Sequence, residues 1–303
     1  MQKKAFKMQK ELVEQAQKAE KVYKENQEAS ENKNWPGKEE HAYELGKAYY
    51  KLASFHRTGL KCNILNSKKV ELKEEQKKIF TMAENLYKNA AMVIIDYARK
   101  GVFKHVSLQS TVMNELSVMY AAVGEYQKAV DIGKAGIQID KAIYETKDDR
   151  LECGKLANRM NTLAAIYTFM KNPQLASETL EDANYVLEEH ESEDPVTFGI
   201  MLARNHINLG NCYKLLEEEK ENADSMLDIG IEKVLEANEK SNDKFLNDVI
   251  MSCVVVGDHY KRKGKNEKAK KHYAIALEKA NVFYAKTKDA KLENLIKRLK
   301  TLV

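Results

Sequence analysis

A five-residue pattern, Leu-small-x-x-Tyr, recurs along this chain of 303 residues. It reads Leu45-Gly46-Lys47-Ala48-Tyr49, Leu116-Ser117-Val118-Met119-Tyr120, Leu163-Ala164-Ala165-Ile166-Tyr167 and Leu209-Gly210-Asn211-Cys212-Tyr213, with Val256-Gly257-Asp258-His259-Tyr260 as a fifth copy. Tyr120, Tyr167, Tyr213 and Tyr260 follow one another at intervals of 47, 46 and 47 residues. A fixed period of this size belongs to stacked supersecondary units, each contacting its neighbours, and not to one globular core. It favours binding over catalysis.

Each unit reads as two antiparallel helices. In the last unit, Leu246, Ile250, Cys253, Val256 and Tyr260 recur at steps of three and four, which lines one helical face from about Asp243 to Lys263. Gly264 supplies the left-handed turn just past a helix end. A second helix restarts near Asn266 with Ala269, Tyr273, Ala276 and Ala280 on one stripe. Gly257 and Ala269 let the two axes approach, and the tyrosines fill the gaps beside them. Elsewhere Gly124 ends a first helix before Ala129. Asn172-Pro173 makes another turn, with Ala176, Leu180 and Ala183 following. Proline is harmless at the first helical position, where its missing N–H would have no intrahelical partner. In the fourth unit Ala223 falls one residue late.

Composition agrees with helices: 32% charged, 43% apolar and only three prolines. The net charge of +4 gives no case for nucleic acid. Cysteines 62, 153, 212 and 253 form no C-x-x-C pair, so they read as reduced thiols in a cytoplasmic protein. No apolar stretch reaches membrane-spanning length, and the charged N-terminus has no signal-peptide pattern.

The predicted organisation is an N-terminal helix over 1–34, an irregular first pair with an insertion over 38–102, four regular pairs over 103–287 and a capping helix over 288–303. The N-terminal stripe is Ala5, Met8, Leu12, Ala16 and Ala19, ended by a break from Asn32 to Gly37 around Trp35. In the first pair, Gly46 is expected to face Ala83, with about 25 extra residues between the two helices relative to the last pair and a loop around Gly59 to Lys69.

The order Leu-small-x-x-Tyr, a turn, then Ala with an aromatic four residues later resembles the tetratricopeptide repeat. Val256-Gly257, Tyr260, Gly264, Ala269, Tyr273 and Ala276 carry the best match. That family has a period of about 34. The longer interval here is similar to kinesin light chain repeats, whose helix openings resemble Asn158-Arg159-Met160-Asn161-Thr162-Leu163-Ala164 and Ala203-Arg204-Asn205-His206-Ile207-Asn208-Leu209-Gly210. The resemblance covers about residues 40 to 285. It implies an all-α, right-handed solenoid of antiparallel helix pairs whose first helices line a concave groove. Bacterial peptide-sensing regulators and sensor modules of larger switches use similar long repeats.

No G-x-S-x-G, phosphate loop, H-E-x-x-H or dinucleotide-binding glycine pattern is present, and the seven histidines are scattered. The expectation is a non-enzymatic protein without cofactor or metal. The acidic run from Glu188 to Asp194 reads as a solvated connector.

Carried over from the resemblance, the groove positions are Asn114, Asn158, Arg159, Asn161, Arg204, Asn205, Asn208, Asn211, Lys214 and Lys261. An asparagine amide offers one donor end and one acceptor end, so it pairs with a peptide backbone regardless of sequence. Arginine grips a carboxylate with two bonds. Helix capping, or bridging between repeats, is the competing role for these asparagines. The expected function is an adaptor or scaffold that binds a protein or peptide carrying an acidic group. The alternative is a peptide-sensing module that switches a partner's activity.

Charge is segregated along the chain. Residues 172–202 hold eight acids and no Lys or Arg, whereas 261–300 hold fourteen Lys or Arg against four acids. Opposite charges of this kind allow head-to-tail association. A lysine-coated outer face explains the basic segment equally well, and nucleic acid is not the expected partner.

Overall fold

The computed structural model of the protein describes residues 2–29, 38–60, 70–98, 105–147 and 150–303. Trp35, Cys62 and most of the expected Gly59–Lys69 loop lie outside them. The chain divides into two compact units, Met1–Asp148 and Asp149–Val303. Among the described residues every regular element is an α-helix.

Unit 1 contains α1 (Gln2–Ala29), α2 (Lys38–Leu60), α3 (Glu74–Ala98), α4 (Val106–Ala122) and α5 (Tyr126–Lys147). Unit 2 contains α6 (Arg150–Phe169), α7 (Pro173–Glu189), α8 (Pro195–Tyr213), α9 (Asn222–Lys240), α10 (Leu246–Arg262), α11 (Asn266–Thr287) and α12 (Ala290–Lys300). Adjacent helices pack pairwise, and the first helices of successive pairs also touch: α2 with α4, α6 with α8, and α8 with α10. All five pattern tyrosines lie on these first helices.

The spacing from tyrosine to turn has a hydrogen-bond cause. Four residues after Tyr120, Tyr167 and Tyr260, the chain enters the left-handed region at Gly124 (φ 84°), Lys171 (φ 57°) and Gly264 (φ 72°). The next amide then donates back to the tyrosine carbonyl: Glu125 to Tyr120, Asn172 to Tyr167 and Lys265 to Tyr260, each at 2.9 Å. This closing bond is that of a Schellman helix end, and it satisfies a carbonyl that the helix leaves free. After the middle turn, the Asn172 side chain accepts from Leu175 N at 3.1 Å, and Pro173 opens α7.

Small residues mark the close approaches. A Cβ on Gly257 would lie 2.7 Å from the Tyr273 ring, and one on Gly210 would lie 3.0 Å from the Ala223 carbonyl. Within unit 2 the core runs on through Ile207, Leu227, Val234, Cys253, Tyr260, Tyr273 and Leu299, so that no pair is closed by itself. The capping helix adds Leu299 to this core, and its Leu292 and Ile296 pack with Ile250 and Ala280.

Two expectations about unit 1 change. Gly46 faces Ala90 and Ile94, about two helical turns beyond Ala83. The reason is that α3 is long, with Ala83, Tyr87 and Ala90 all fully buried, so a stripe of small and aromatic residues offers more than one register. Only part of the α1 stripe is packed: Leu12, Val13, Ala16 and Ala19 meet Ala48, Leu52 and Leu86, whereas Met8 stays 48% exposed. The end of the insertion is tied down where Val70 N donates to the Ala122 carbonyl at 2.8 Å.

Candidate binding surface

The pattern tyrosines do more than fill gaps. Tyr120 donates to Glu84 Oε1 (2.5 Å), Tyr213 to Glu181 Oε1 (2.8 Å) and Tyr260 to Asp228 Oδ1 (2.7 Å). Tyr49 is hydrogen-bonded to Glu20. Each bond joins the first helix of a pair to the helix that precedes it in the chain. Burial and the facing carboxylate raise these phenols above their ordinary range. The partner acids were not singled out from sequence. Their separations from the tyrosine range from 29 to 36 residues, so no constant spacing points to them.

With the hydroxyls engaged between repeats, the free polar surface lies on the other side chains of the first helices. In unit 2, Asn158 on α6 and Asn208 on α8 are exposed. Asn161 is half-buried, and its Oδ1 has no hydrogen-bond partner. Arg204 is exposed, but its Nε and Nη2 already bind Asp248 Oδ1 at 2.8 and 2.7 Å, bridging α8 to α10. It therefore fixes neighbouring repeats, and its charge is compensated within the chain. In unit 1, Arg57 and Glu115 bridge α2 to α4 in the same way at 2.6 Å. Asn114, beside Glu115, is half-buried on α4.

Arg159 is buried, and Asn205 is fully buried with neither amide atom partnered. Both are packed inward at the helix openings, Asn205 completely and Arg159 with 9% of its surface left exposed. Asn211 accepts from Lys214 Nζ. Burial, followed by repulsion from Arg262, pushes the Lys214 ammonium down to about 8. Lys261 is exposed at the end of α10. The α8 and α10 ends thus bring Lys214 and Arg262 together, a cationic pair in which sequence reasoning named only the lysine. Arg262 lies four residues beyond Asp258, one helical turn along the same face, and that periodicity was the available signal.

Asp258, which follows Gly257 in the fifth copy of the pattern, is occupied from within. It accepts from Tyr273 Oη at 2.6 Å and from Arg298 Nη2 at 2.9 and 3.0 Å. The capping helix α12 therefore covers Asp258.

Cys153, Cys212 and Cys253 are buried and unpaired. Burial holds all three thiols above their ordinary value, to about 12 for Cys153 and Cys253, which makes them inert packing groups. Among the described residues no helix is long and apolar enough to cross a membrane.

No protein-family model and no curated protein matches the sequence. Solved structures match the fold. BtubC (BKLC) from P. vanneervenii aligns with a TM-score of 0.59 at 17% identity, over 90% of this chain and 92% of that one. Aspartyl phosphate phosphatase F from Bacillus subtilis aligns with a TM-score of 0.57 at 16% identity, over 87% of this chain and 57% of that one. Together with the pairwise packing, these alignments make the fold that of the tetratricopeptide-type helical repeat proteins.

Proposed function

We propose that the protein is a non-enzymatic, cytoplasmic adaptor that binds an extended segment of a partner protein along the first helices of unit 2. The observation carrying this reading is the strip of exposed Asn158 and Asn208, half-buried Lys214 and exposed Arg262, on helices that touch one another in succession. The amides suit a peptide backbone, and the two cations suit an acidic side chain or chain end. Arg204 holds α8 against α10 and keeps the strip in register.

The test is selection of random peptides displayed on phage against the intact chain. Acidic peptides should be enriched, and they should lose binding to a combined Asn158→Ala, Asn208→Ala and Lys214→Ala variant that keeps its helical circular dichroism. Failure to enrich any peptide, or equal binding to the variant, would remove the assignment.

A second reading, a peptide-sensing regulator, draws support from the Arg298–Asp258 contact. A ligand competing for Asp258 or for Arg298 would release α12, coupling occupancy to a change in shape. Small-angle scattering separates the two: a sensor changes its radius of gyration with the selected peptide, whereas an adaptor keeps it.

A further inference from the structure

A cleft of about 330 Å³ lies between α1 and α2 in unit 1. Its apolar floor includes Ala19 and Val22, and its walls carry Lys18 from α1 and Lys47 and Lys51 from α2. Glu44 is the one carboxylate lining it, and it engages Lys47 at 3.3 Å. Among the described residues Lys18 and Lys51 have no ion-pair partner. The cleft is thus a small apolar slot between two uncompensated ammonium groups.

The chain also carries a segment of opposite character. The turn between α8 and α9 opens with Lys214 and Leu215, the leucine 69% exposed, and continues with Glu217, Glu218, Glu219 and Glu221 around Lys220. Glu217 pairs with Lys220 at 2.7 Å and Glu219 accepts from Asn222, which leaves Glu218 and Glu221 without partners. A single exposed leucine is ordinary on a protein surface. On a non-helical turn carrying two net negative charges, it has the form of an apolar anchor followed by acids.

We propose that a second copy of this chain seats its α8–α9 turn in the α1–α2 cleft, with Leu215 on the apolar floor and the glutamates on Lys18 and Lys51. The two surfaces differ, so the contact is heterologous, and repetition gives a ring or an open chain of copies. One turn in a cleft of this size buries far less than a standard interface, so the association is weak, and its exposed charges make it salt-sensitive.

Sedimentation equilibrium of the full chain at low salt tests this. The weight-average mass should climb with concentration and return to that of one chain at about 0.5 M salt, where exposed charges are screened beyond a few ångströms. Lys18→Glu with Lys51→Glu should weaken self-association at least about tenfold, as should Glu217→Lys with Glu218→Lys, since each reverses the charge at one side of the contact. Mixing the two variants restores opposite charges at both contacts and should restore the assembly. Circular dichroism confirms that each variant remains helical. A wild-type mass of one chain at every concentration, association unmoved by either reversal, or no recovery on mixing would overturn the proposal.

Discussion

Tyr260 shows how much one repeated residue does. Its ring is fully buried against α11, its carbonyl closes the turn at Gly264, and its hydroxyl reaches Asp228 on the preceding helix. Tyr260→Phe keeps the first two roles and removes the third, so it should cost about 1 kcal/mol in urea denaturation. Tyr260→Ala also opens a cavity and should cost about 3–5 kcal/mol. The turn at Lys171 makes the opposite case. A lysine stands there in the left-handed conformation that glycine occupies at positions 124 and 264. Lys171→Gly should therefore raise stability by about 0.5–1 kcal/mol, because a side chain in that region is strained by 1–2 kcal/mol and glycine gives back part of the gain in chain entropy. A lower melting temperature for this variant would contradict the account of the turn.

At the scale of elements, the contact between α9 and the α10–α11 turn rests on one carboxylate. Asp224 meets His259 (2.7 Å), Lys263 (2.9 Å) and Lys265 (2.6 Å). Burial alone would raise its carboxyl, but the two lysines and the histidine outweigh burial and hold it well below the usual carboxylate range. Asp224→Asn should loosen this junction by about 2 kcal/mol, since it leaves a buried histidine and two ammonium groups without their charge partner. Hydrogen exchange should show the loss concentrated in α9 and α10. The helices themselves were legible in sequence because Tyr, Gly and Ala recur at positions set by helix period and turn geometry. The clasps at Glu84, Glu181, Asp224 and Asp228 were not. They join separate helices, and which acid meets which tyrosine depends on the crossing of those helices, not on any interval within one. Asn205 was misplaced for a related reason. An asparagine at a helix opening reads as surface, and only packing reveals that its face turns inward.

At the scale of the whole molecule, four of the buried histidines among the described residues set the response to acid. Burial lowers His56, His206, His259 and His272 below the ordinary 6.5, with Asp224 only partly offsetting it at His259. The unfolded chain therefore binds more protons than the folded one as pH falls through 6.5. Their contribution to stability is complete above that value and is lost progressively below it, down towards the lowered folded values. Melting temperature should fall between pH 7.5 and 5.5, and a flat profile would show that these histidines stay accessible. The stacked pairs could be read from one sequence because a repeated unit must repeat its packing residues. The proposed binding strip was legible in the sequence only in part. Asn158 and Asn208 are open to solvent, Arg204 is spent on Asp248, and Arg262 emerged only with the fold. The direct test of the central claim is photo-crosslinking of a phage-selected peptide from two positions, 208 on the first-helix strip and 185 on the outer face of α7. The account predicts labelling from position 208 and none from position 185. Labelling from position 185 alone would contradict it.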